Sequence, residues 1–459
     1  MNALILELDD SSKTALYIQI YQAIKKQILV GHLNAGEKLP SLRQLAKSLD
    51  LSLTTVEGAY NQLMVEGYIE SRPRSGYFVA YVAANIPQGA VAKREVNPVF
   101  KPGMHQRSAM IFDPAAFDFK KWKQCMSQVF NDYWELLHFA SDPQGEYALR
   151  YEIANYLHLR RDVICAPEQI VIGAGVQQLT EHIFRILEVL NVDHVCTETP
   201  GYAPVKKIFK DRGLPISQIP VAQDGLVVEK LPMNIRSLVY VAPSNQYPTG
   251  AVMPVGRRYA LLKWAEENDS YILEDDYDSE LRYFGRPIPA LQGIDGGNRV
   301  IYMGSFSSTL FPAVKISYMV LPKKLSEIFH QIKTMFGQTC SKSEQLCLAL
   351  YLSKGYYEQN IRKCRRLFSQ KLQIVKSCIE AQGNGRVKAV NTQSGINVTL
   401  SVETEESLEN LCQKGQALGI QVRAVKELSD PTHKVLIVLY NRIPIEVLQS
   451  VLTQFLQKL

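Results

Sequence analysis

Five short apolar runs in this chain each give way to residues whose side chains or backbone could bind a small molecule. Gln169–Ile172 is followed by the glycine-rich stretch Gly173 to Gln178, and His194–Thr197 by Glu198-Thr-Pro-Gly-Tyr202. Leu238–Ala242 leads into Pro243 to Gly250, which carries Asn245, and Tyr271–Leu273 leads into Glu274-Asp275-Asp276-Tyr277. Val300–Met303 leads into Gly304-Ser305-Phe-Ser307-Ser308-Thr309. Any one of these could be an ordinary turn. Five at equivalent places point to a shared binding site, because ligands of open α/β sheets gather just beyond the strand C-termini. A second candidate lies near the N-terminus, where Ser41, Arg43, Ser52, Leu53, Thr54, Thr55, Arg74 and Gly76 stand at helix starts and in a turn. Small hydroxyl residues at an exposed helix N-terminus can enter a major groove, and the free amides and dipole there favour phosphate. Arg43 and Arg74 would neutralise phosphates, and Gly76 would let backbone approach a duplex. Ser41 and Ser52 could equally be caps and nothing more.

The elements that must position these residues can be read from spacing. Leu16, Ile20, Ile24 and Ile28 share a helical face that Gly31 stops. Ser41 with Gln44 three residues on forms a capping box for a short helix carrying Leu42, Leu45 and Leu49 inward. Ser52 can cap a third helix, with Leu51 and Val56 at the staple positions and Val56, Tyr60 and Leu63 on one face; Thr54, Glu57 and Asn61 then point away. Gly67 ends it. Two strand-like runs, Tyr68–Glu70 and Tyr77–Val79, flank a turn rich in arginine and glycine, so residues 1–79 read as a winged helix-turn-helix. Periodicity fades over residues 80–110, which read as a linker. Beyond it, short apolar runs alternate with amphipathic helices, the pattern of an α/β body with a mostly parallel sheet.

Whole-chain properties are consistent with this division. A length of 459 residues suggests roughly three domains. A net charge of +6 is compatible with nucleic acid and equally with a mildly basic enzyme. The N-terminus lacks the basic stretch and apolar run of a secretory signal, and no segment approaches the roughly 20 apolar residues of a membrane span. Eight scattered cysteines without a CxxC pair argue against zinc and for reduced thiols, so a cytoplasmic location is expected.

The N-terminal motifs Leu39-Pro-Ser-Leu-Arg-Gln-Leu-Ala46, Ser52-Leu-Thr-Thr-Val56, Glu66-Gly-Tyr-Ile69 and Ser75-Gly-Tyr-Phe-Val79 resemble the GntR-type winged-helix signature. The five clusters of the body, preceded by Asp142-Pro-Gln-Gly-Glu-Tyr-Ala-Leu-Arg150, resemble a fold-type I aminotransferase in the order found in MocR-type regulators. The resemblance implies a large domain over 111–325 and a small C-terminal domain over 326–459, with a long helix near Ile361–Glu380 and strands such as Val435–Tyr440. It implies a cofactor too, pyridoxal phosphate, and roles for particular residues. Asp275 would sit beside the pyridine nitrogen, Tyr277 would reach the ring hydroxyl and Tyr202 would stack on the ring. Gly175 and Val176 would open a helix toward the phosphate, with Ser305 and Ser307 adding donors. Asn245 stands where the regulators often carry histidine.

The departures decide the chemistry. The family's Gly-Ser-Phe-Ser-Lys reads Gly304-Ser-Phe-Ser-Ser308 here, and serine has no amine with which to bond the cofactor aldehyde or move a proton. The phosphate-clamping arginine seven residues on is Lys315, which keeps the charge and loses the bidentate fork. Gly395-Ile-Asn397 replaces the regulators' Gly-Leu-His, and the usual carboxylate-binding arginine has only Arg423 and Arg442 as candidates. In the head, Leu53 occupies a place where the family usually has arginine; it is either a lost contact or a reader of a thymine methyl. The expected protein is a homodimeric regulator that binds double-stranded operator DNA. Its body would sense a vitamin B6 form or an amino compound, holding pyridoxal phosphate noncovalently if at all, without metal or membrane. The alternative is a working aminotransferase with a DNA-binding appendage.

Overall fold

The computed structural model describes residues 8, 9, 12, 14–80, 113–283, 288–390 and 395–459. The expected linker lies outside these residues from position 81 onward. The chain divides into two compact units, Met1–Lys101 and Pro102–Leu459.

In the first unit, α1 (Leu16–Leu29), α2 (Leu42–Leu49) and α3 (Leu53–Val65) precede a hairpin of β1 (Ile69–Arg72) and β2 (Gly76–Val79). Ile20, Ile24, Val56, Tyr60 and Leu63 are fully buried, the faces expected from their helical spacing. The capping box forms: Gln44 N donates to Ser41 Oγ at 3.3 Å, and Ser41 N donates to Gln44 Oε1 at 3.0 Å. Tyr60 donates its hydroxyl to Pro40 O at 3.0 Å, which ties the recognition-type helix to the turn before α2. The hairpin is antiparallel, with Ile69 opposite Val79, and Lys38 bridges to Phe78 at its edge.

The second unit is built on an eight-stranded sheet of β3 (Ile170–Gly173), β4 (His194–Thr199), β5 (Ile216–Ala222), β6 (Gly225–Leu226), β7 (Ser237–Val241), β8 (Tyr271–Asp276), β9 (Val300–Ser305) and β10 (Ser317–Val320). The strand order is β3-β10-β9-β8-β7-β4-β5-β6. The middle of the sheet, from β9 to β5, is parallel, while β10 runs antiparallel to both neighbours and β6 antiparallel to β5. Strands β7 and β8 are buried at every position, as a sheet covered on both faces requires. Helices α4 (Phe119–Asp132), α5 (Tyr147–Arg161) and α6 (Val176–Leu190) contribute to its covering layers.

A separate four-stranded antiparallel sheet follows, of β11 (Val387–Ala389), β12 (Val398–Glu403), β13 (Val422–Ala424) and β14 (His433–Val438) in the order β11-β12-β14-β13. It has its own core, including Leu400, Leu411, Leu436, Leu448 and Phe455. The long helix extends over Tyr356–Gln382, beyond the Ile361–Glu380 read from periodicity. The helix Lys342–Ser353 follows the boundary expected at 325/326, yet its Leu346, Cys347 and Tyr351 pack in the core beneath the large sheet with Trp122 and Leu157.

Candidate functional site

Strand β8 carries the clearest positioning device of the body. Successive side chains of a strand point to opposite faces, and Glu274, Asp275 and Asp276 divide accordingly. Glu274 accepts hydrogen bonds from the backbone amides of Leu291 (2.8 Å) and Gln292 (3.0 Å). Asp276 is paired with the buried Arg161 at 2.8 Å and accepts from the Tyr302 hydroxyl. Asp275 points the other way, toward Tyr240 of β7, whose hydroxyl donates to its Oδ2. Its Oδ1 is buried with no hydrogen-bond partner among the described residues. Burial, foremost, pushes this carboxyl up to about 7; the Tyr240 hydrogen bond opposes the rise and the Asp276 charge adds to it.

Asp275 faces a cavity of about 240 Å³. Val176, Tyr202, Tyr277, Ser305, Ser307 and Ser308 also line it, so six of the expected body residues, with the position of the missing lysine, surround one space. Tyr202, Tyr247 and Tyr277 form an aromatic wall, with Tyr247 edge-on to each of the others at 6.3 Å between ring centroids. Gly175 precedes α6 with φ 99°, a backbone conformation that glycine adopts without strain, and a Cβ there would meet nothing within 4 Å. The first amides of α6 therefore open onto free space at the positive end of a helix dipole. Ser307 N donates to Ser305 Oγ at 3.3 Å, and Ser307 Oγ donates to Val314 O at 2.6 Å. Ser308 Oγ donates to Tyr277 O at 2.6 Å. No lysine is among the residues lining the cavity.

Three of the expected residues, Gly175, Asn245 and Lys315, are not among those that line the cavity. Asn245 stands behind Tyr277: its Nδ2 donates to the Tyr277 hydroxyl at 3.2 Å and to both Asp278 oxygens at 2.8 and 2.9 Å. Burial raises Asp278 to about 8, against the opposing pull of that amide. Gly395 packs against this pair, and a Cβ on it would come within 3.0 Å of Asp278 and 3.2 Å of Asn245. Lys315 is exposed, one residue past the carbonyl that receives the Ser307 hydroxyl.

The structure adds Glu198 and Tyr240, to which the sequence assigned no role, and gathers the two candidate arginines. Glu198 lines the cavity with Oε1 unpartnered, and burial raises it to about 8. Tyr240 was hidden inside an apolar run; its only signal was a tyrosine facing the same side of the sheet as Asp275. Arg423 and Arg442 both line the cavity, and neither is ion-paired among the described residues. Arg442 donates to Gln421 Oε1 at 2.7 Å, and its pKa is lowered by burial and then by the charge of Arg423. Two neighbouring guanidinium groups without a carboxylate form a receptor for an anion.

A pyridoxal ring with its phosphate fits these groups. The unpartnered Asp275 Oδ1 suits a ring N–H, the α6 amides with Ser305 suit a phosphate, and Tyr202 supplies a flat apolar surface; Ser307, expected as a further donor, has both its amide and its hydroxyl already engaged. The covalent anchor is what the residues do not offer.

In the head, the candidate DNA-facing residues divide among three places. Ser41 and Arg43 open α2, and both are exposed. Ser52 caps α3, accepting from Thr55 N at 3.2 Å, and its hydroxyl is within 2.9 Å of Thr54 Oγ1 and 2.7 Å of Thr55 Oγ1. Leu53 follows with 43% of its surface exposed, a large apolar side chain left in solvent at the first turn of the helix. Arg74 and Gly76 shape the hairpin turn with φ of 63° and 103°.

A winged helix-turn-helix joined to a body of the fold-type I aminotransferase kind is the class of protein that this architecture defines. The model for bacterial regulatory proteins of the gntR family matches residues 16–79, and that for aminotransferases of class I and II matches residues 115–427. An uncharacterized HTH-type transcriptional regulator of Bacillus subtilis, YdeL, is 38% identical over 89% of this chain and 89% of its own length. The probable rhizopine catabolism regulatory protein MocR of Rhizobium meliloti is 33% identical over 81% of this chain and 78% of its own. The pyridoxine biosynthesis regulator PdxR of Corynebacterium glutamicum is 30% identical over 92% and 89%. The kynurenine aminotransferase of Pyrococcus horikoshii, at 21% identity, superposes with a TM-score of 0.66 over 76% of this chain and 89% of that one, a likeness of fold. The chain belongs to the MocR-type family of HTH-type transcriptional regulators, in which a gntR-family DNA-binding domain is fused to an aminotransferase-like domain. Among the described residues no helix is long and apolar enough to cross a membrane.

Proposed function

We propose that this regulator binds operator DNA through its head while its body holds pyridoxal phosphate reversibly, as a sensed ligand and not as a catalytic group. The observation that carries the reading is the pairing of a buried, unpartnered Asp275 Oδ1 with a cavity wall that ends in Ser308. Pyridoxal phosphate, when bound, supplies an electron-poor ring and an aldehyde. Asp275 would hold the ring nitrogen protonated, Tyr202 would cover one ring face, and Asn245 would hold Tyr277 toward the ring hydroxyl. Ser305 and the α6 amides, with Gly175 leaving room, would take the phosphate, and Ser307 would hold the turn in place through Val314 O. Arg423 and Arg442 would receive the carboxylate of an amino compound. Ser308 has no amine and its hydroxyl is committed to a backbone carbonyl, so no side chain at this position moves the proton that amino-group transfer requires. The serine weighs against the reading of a working aminotransferase.

On this reading Ser41, Arg43, Ser52, Thr54, Thr55, Arg74 and Gly76 contact the DNA backbone or groove, with Leu53 at the bases. Two copies of the chain would act together, since one head supplies one half-site. Exposed aromatics of the body support a second copy: Tyr147 and Tyr151, each about half exposed, line an apolar groove of about 420 Å³, and Phe130, Trp134 and Phe139 are also half or more exposed. Titration calorimetry with pyridoxal phosphate tests the central claim. Saturable binding that dialysis reverses supports it, and no heat at millimolar ligand refutes it.

A further inference from the structure

A second cavity, of about 330 Å³, adjoins the first. Ser307, Ser308, Ile396 and Arg442 line both. Ser308 is therefore the wall between two spaces, and its short side chain is turned aside to Tyr277 O. A long side chain at this position would occupy the passage; serine leaves it clear.

The two spaces differ in chemistry. The first presents acids, hydroxyls and cations. The second is walled by Phe117, Leu310, Phe311 and Phe368, with Ala116 at its margin. Phe117 and Phe311 pack with their rings tilted at 52° and 4.9 Å between centroids, and Phe117 and Phe368 are almost wholly buried. Polar groups line it as well: Arg442 and the serines shared with the first cavity, Thr309, Asn441 with a buried Oδ1 that has no partner among the described residues, and Asp113, whose carboxylate is already ion-paired with the buried Lys371. A ligand reaching from the first cavity past Arg442 thus meets a cation, then an aromatic chamber.

We infer that the amino compound sensed by this body carries a carboxylate, held by Arg442, and an aromatic or large apolar side chain seated in the chamber behind Ser308. This rests on the reading that the first cavity holds pyridoxal phosphate. A small or acidic side chain would leave the chamber unfilled or bury a charge among phenylalanines, and both lose affinity. Burying one aromatic side chain is worth roughly ten- to a hundredfold in affinity.

The test uses stable amine conjugates, phosphopyridoxyl-L-phenylalanine, phosphopyridoxyl-L-alanine and phosphopyridoxyl-L-aspartate, titrated into the full chain alongside pyridoxal phosphate. The phenylalanine conjugate should bind at least about tenfold more tightly than the other two. Ala116→Phe, which fills the chamber from its half-exposed margin, should abolish that preference and leave pyridoxal phosphate affinity unchanged. Ser308→Leu, which blocks the passage from the other side, should do the same to the preference. Binding of pyridoxal phosphate with equal affinity for all three conjugates would overturn the chamber and leave the cofactor reading standing. A preference for phenylalanine that survives both filled variants would also overturn it. Failure of pyridoxal phosphate and every conjugate to bind would overturn both.

Discussion

Replacing Asp275 with asparagine should move ligand affinity and the stability of the free protein in opposite directions. Asp275 is 7% exposed, and burial is the main cause that takes its carboxyl from 3.8 to about 7. Between those values the folded protein keeps a proton that the unfolded chain has released, so stability falls as pH rises through this window and levels off above it. Each pH unit is worth about 1.4 kcal/mol. From pH 5 to the folded value of about 7 the loss is therefore on the order of 3 kcal/mol. Asparagine does not titrate, and the other buried acids, Glu198 and Asp278 among them, are common to both proteins. The stability of Asp275→Asn relative to the parent should thus rise by about 2–3 kcal/mol between pH 5 and pH 8. Ligand affinity moves the other way. A charge-assisted hydrogen bond to a ring N–H is worth about 1.5–3 kcal/mol, so pyridoxal phosphate should bind roughly ten- to a hundredfold more weakly to the variant. Urea unfolding of both proteins at pH 5, 6.5 and 8 reads the first effect, and calorimetry at pH 8 reads the second. Parallel pH profiles would refute the burial argument, and unchanged affinity would refute the placement of the ring nitrogen.

Four further outcomes are expected. The protein as it stands should yield no borohydride-fixed cofactor peptide, whereas Ser308→Lys should yield one at position 308; fixation on the unmodified chain, mapped by peptide mass, would contradict the noncovalent site. Arg43→Ala should weaken binding to every DNA sequence and flatten the salt slope by about one. Leu53→Arg should raise affinity throughout if the leucine is a lost phosphate contact, and shift base preference if it meets a thymine methyl; a fluorescence titration on operator variants separates the two. Sedimentation at micromolar concentration should give twice the chain mass, and a monomer both free and on DNA would exclude paired heads.

The head was legible nearly to the residue, because helical spacing and caps are local signals. Ser41 and Gln44, or Leu51 and Val56, need only their neighbours to be read. The five site strands were found for a related reason: each is a buried apolar run closed by polar residues. Strands β5 and β10 were not found. In Ile216–Ala222 a proline and polar residues interrupt the run, and Ser317–Val320 is too short to stand out. The cavity was partly legible. Asp275, Tyr277, Tyr202 and the serines sit on strand ends or the turns after them, where the resemblance could place them. Tyr240 could not be found, since within a strand only the pairing of β7 with β8 brings it to Asp275. Arg423 and Arg442 stayed undecided because one lies on β13 and the other in the short helical turn after β14, and only the folding of this part of the chain against the first sheet turns both into one space.

That convergence also explains why losing a lysine can suit a sensor. An imine to the protein, though reversible, keeps the cofactor bound down to far lower concentrations, so its occupancy varies less. A ligand held by Asp275, a helix N-terminus and stacking leaves when its concentration falls, and occupancy becomes the signal. To act on DNA, that occupancy must favour one arrangement of the protein over another by differential contacts. The residues that could supply them come from both sheets and their ends: Asp275 and Ser305 from the first, Arg423 from the second and Arg442 from the turn just after it. The chamber behind Ser308 adds another contact, because Asp113 lines it and is ion-paired with the buried Lys371 of the long helix. Asp113 directly follows, in the chain, the residues that lead from the head. A ligand filling both cavities would touch the large sheet, the small sheet and the point where the connecting segment enters the body, whereas pyridoxal phosphate alone would touch fewer of them. The two-part ligand should therefore alter DNA affinity more than pyridoxal phosphate does. A difference measured with the phenylalanine conjugate and absent in Ala116→Phe would tie the effect to the chamber, and equal effects of the two ligands on DNA binding would break the link.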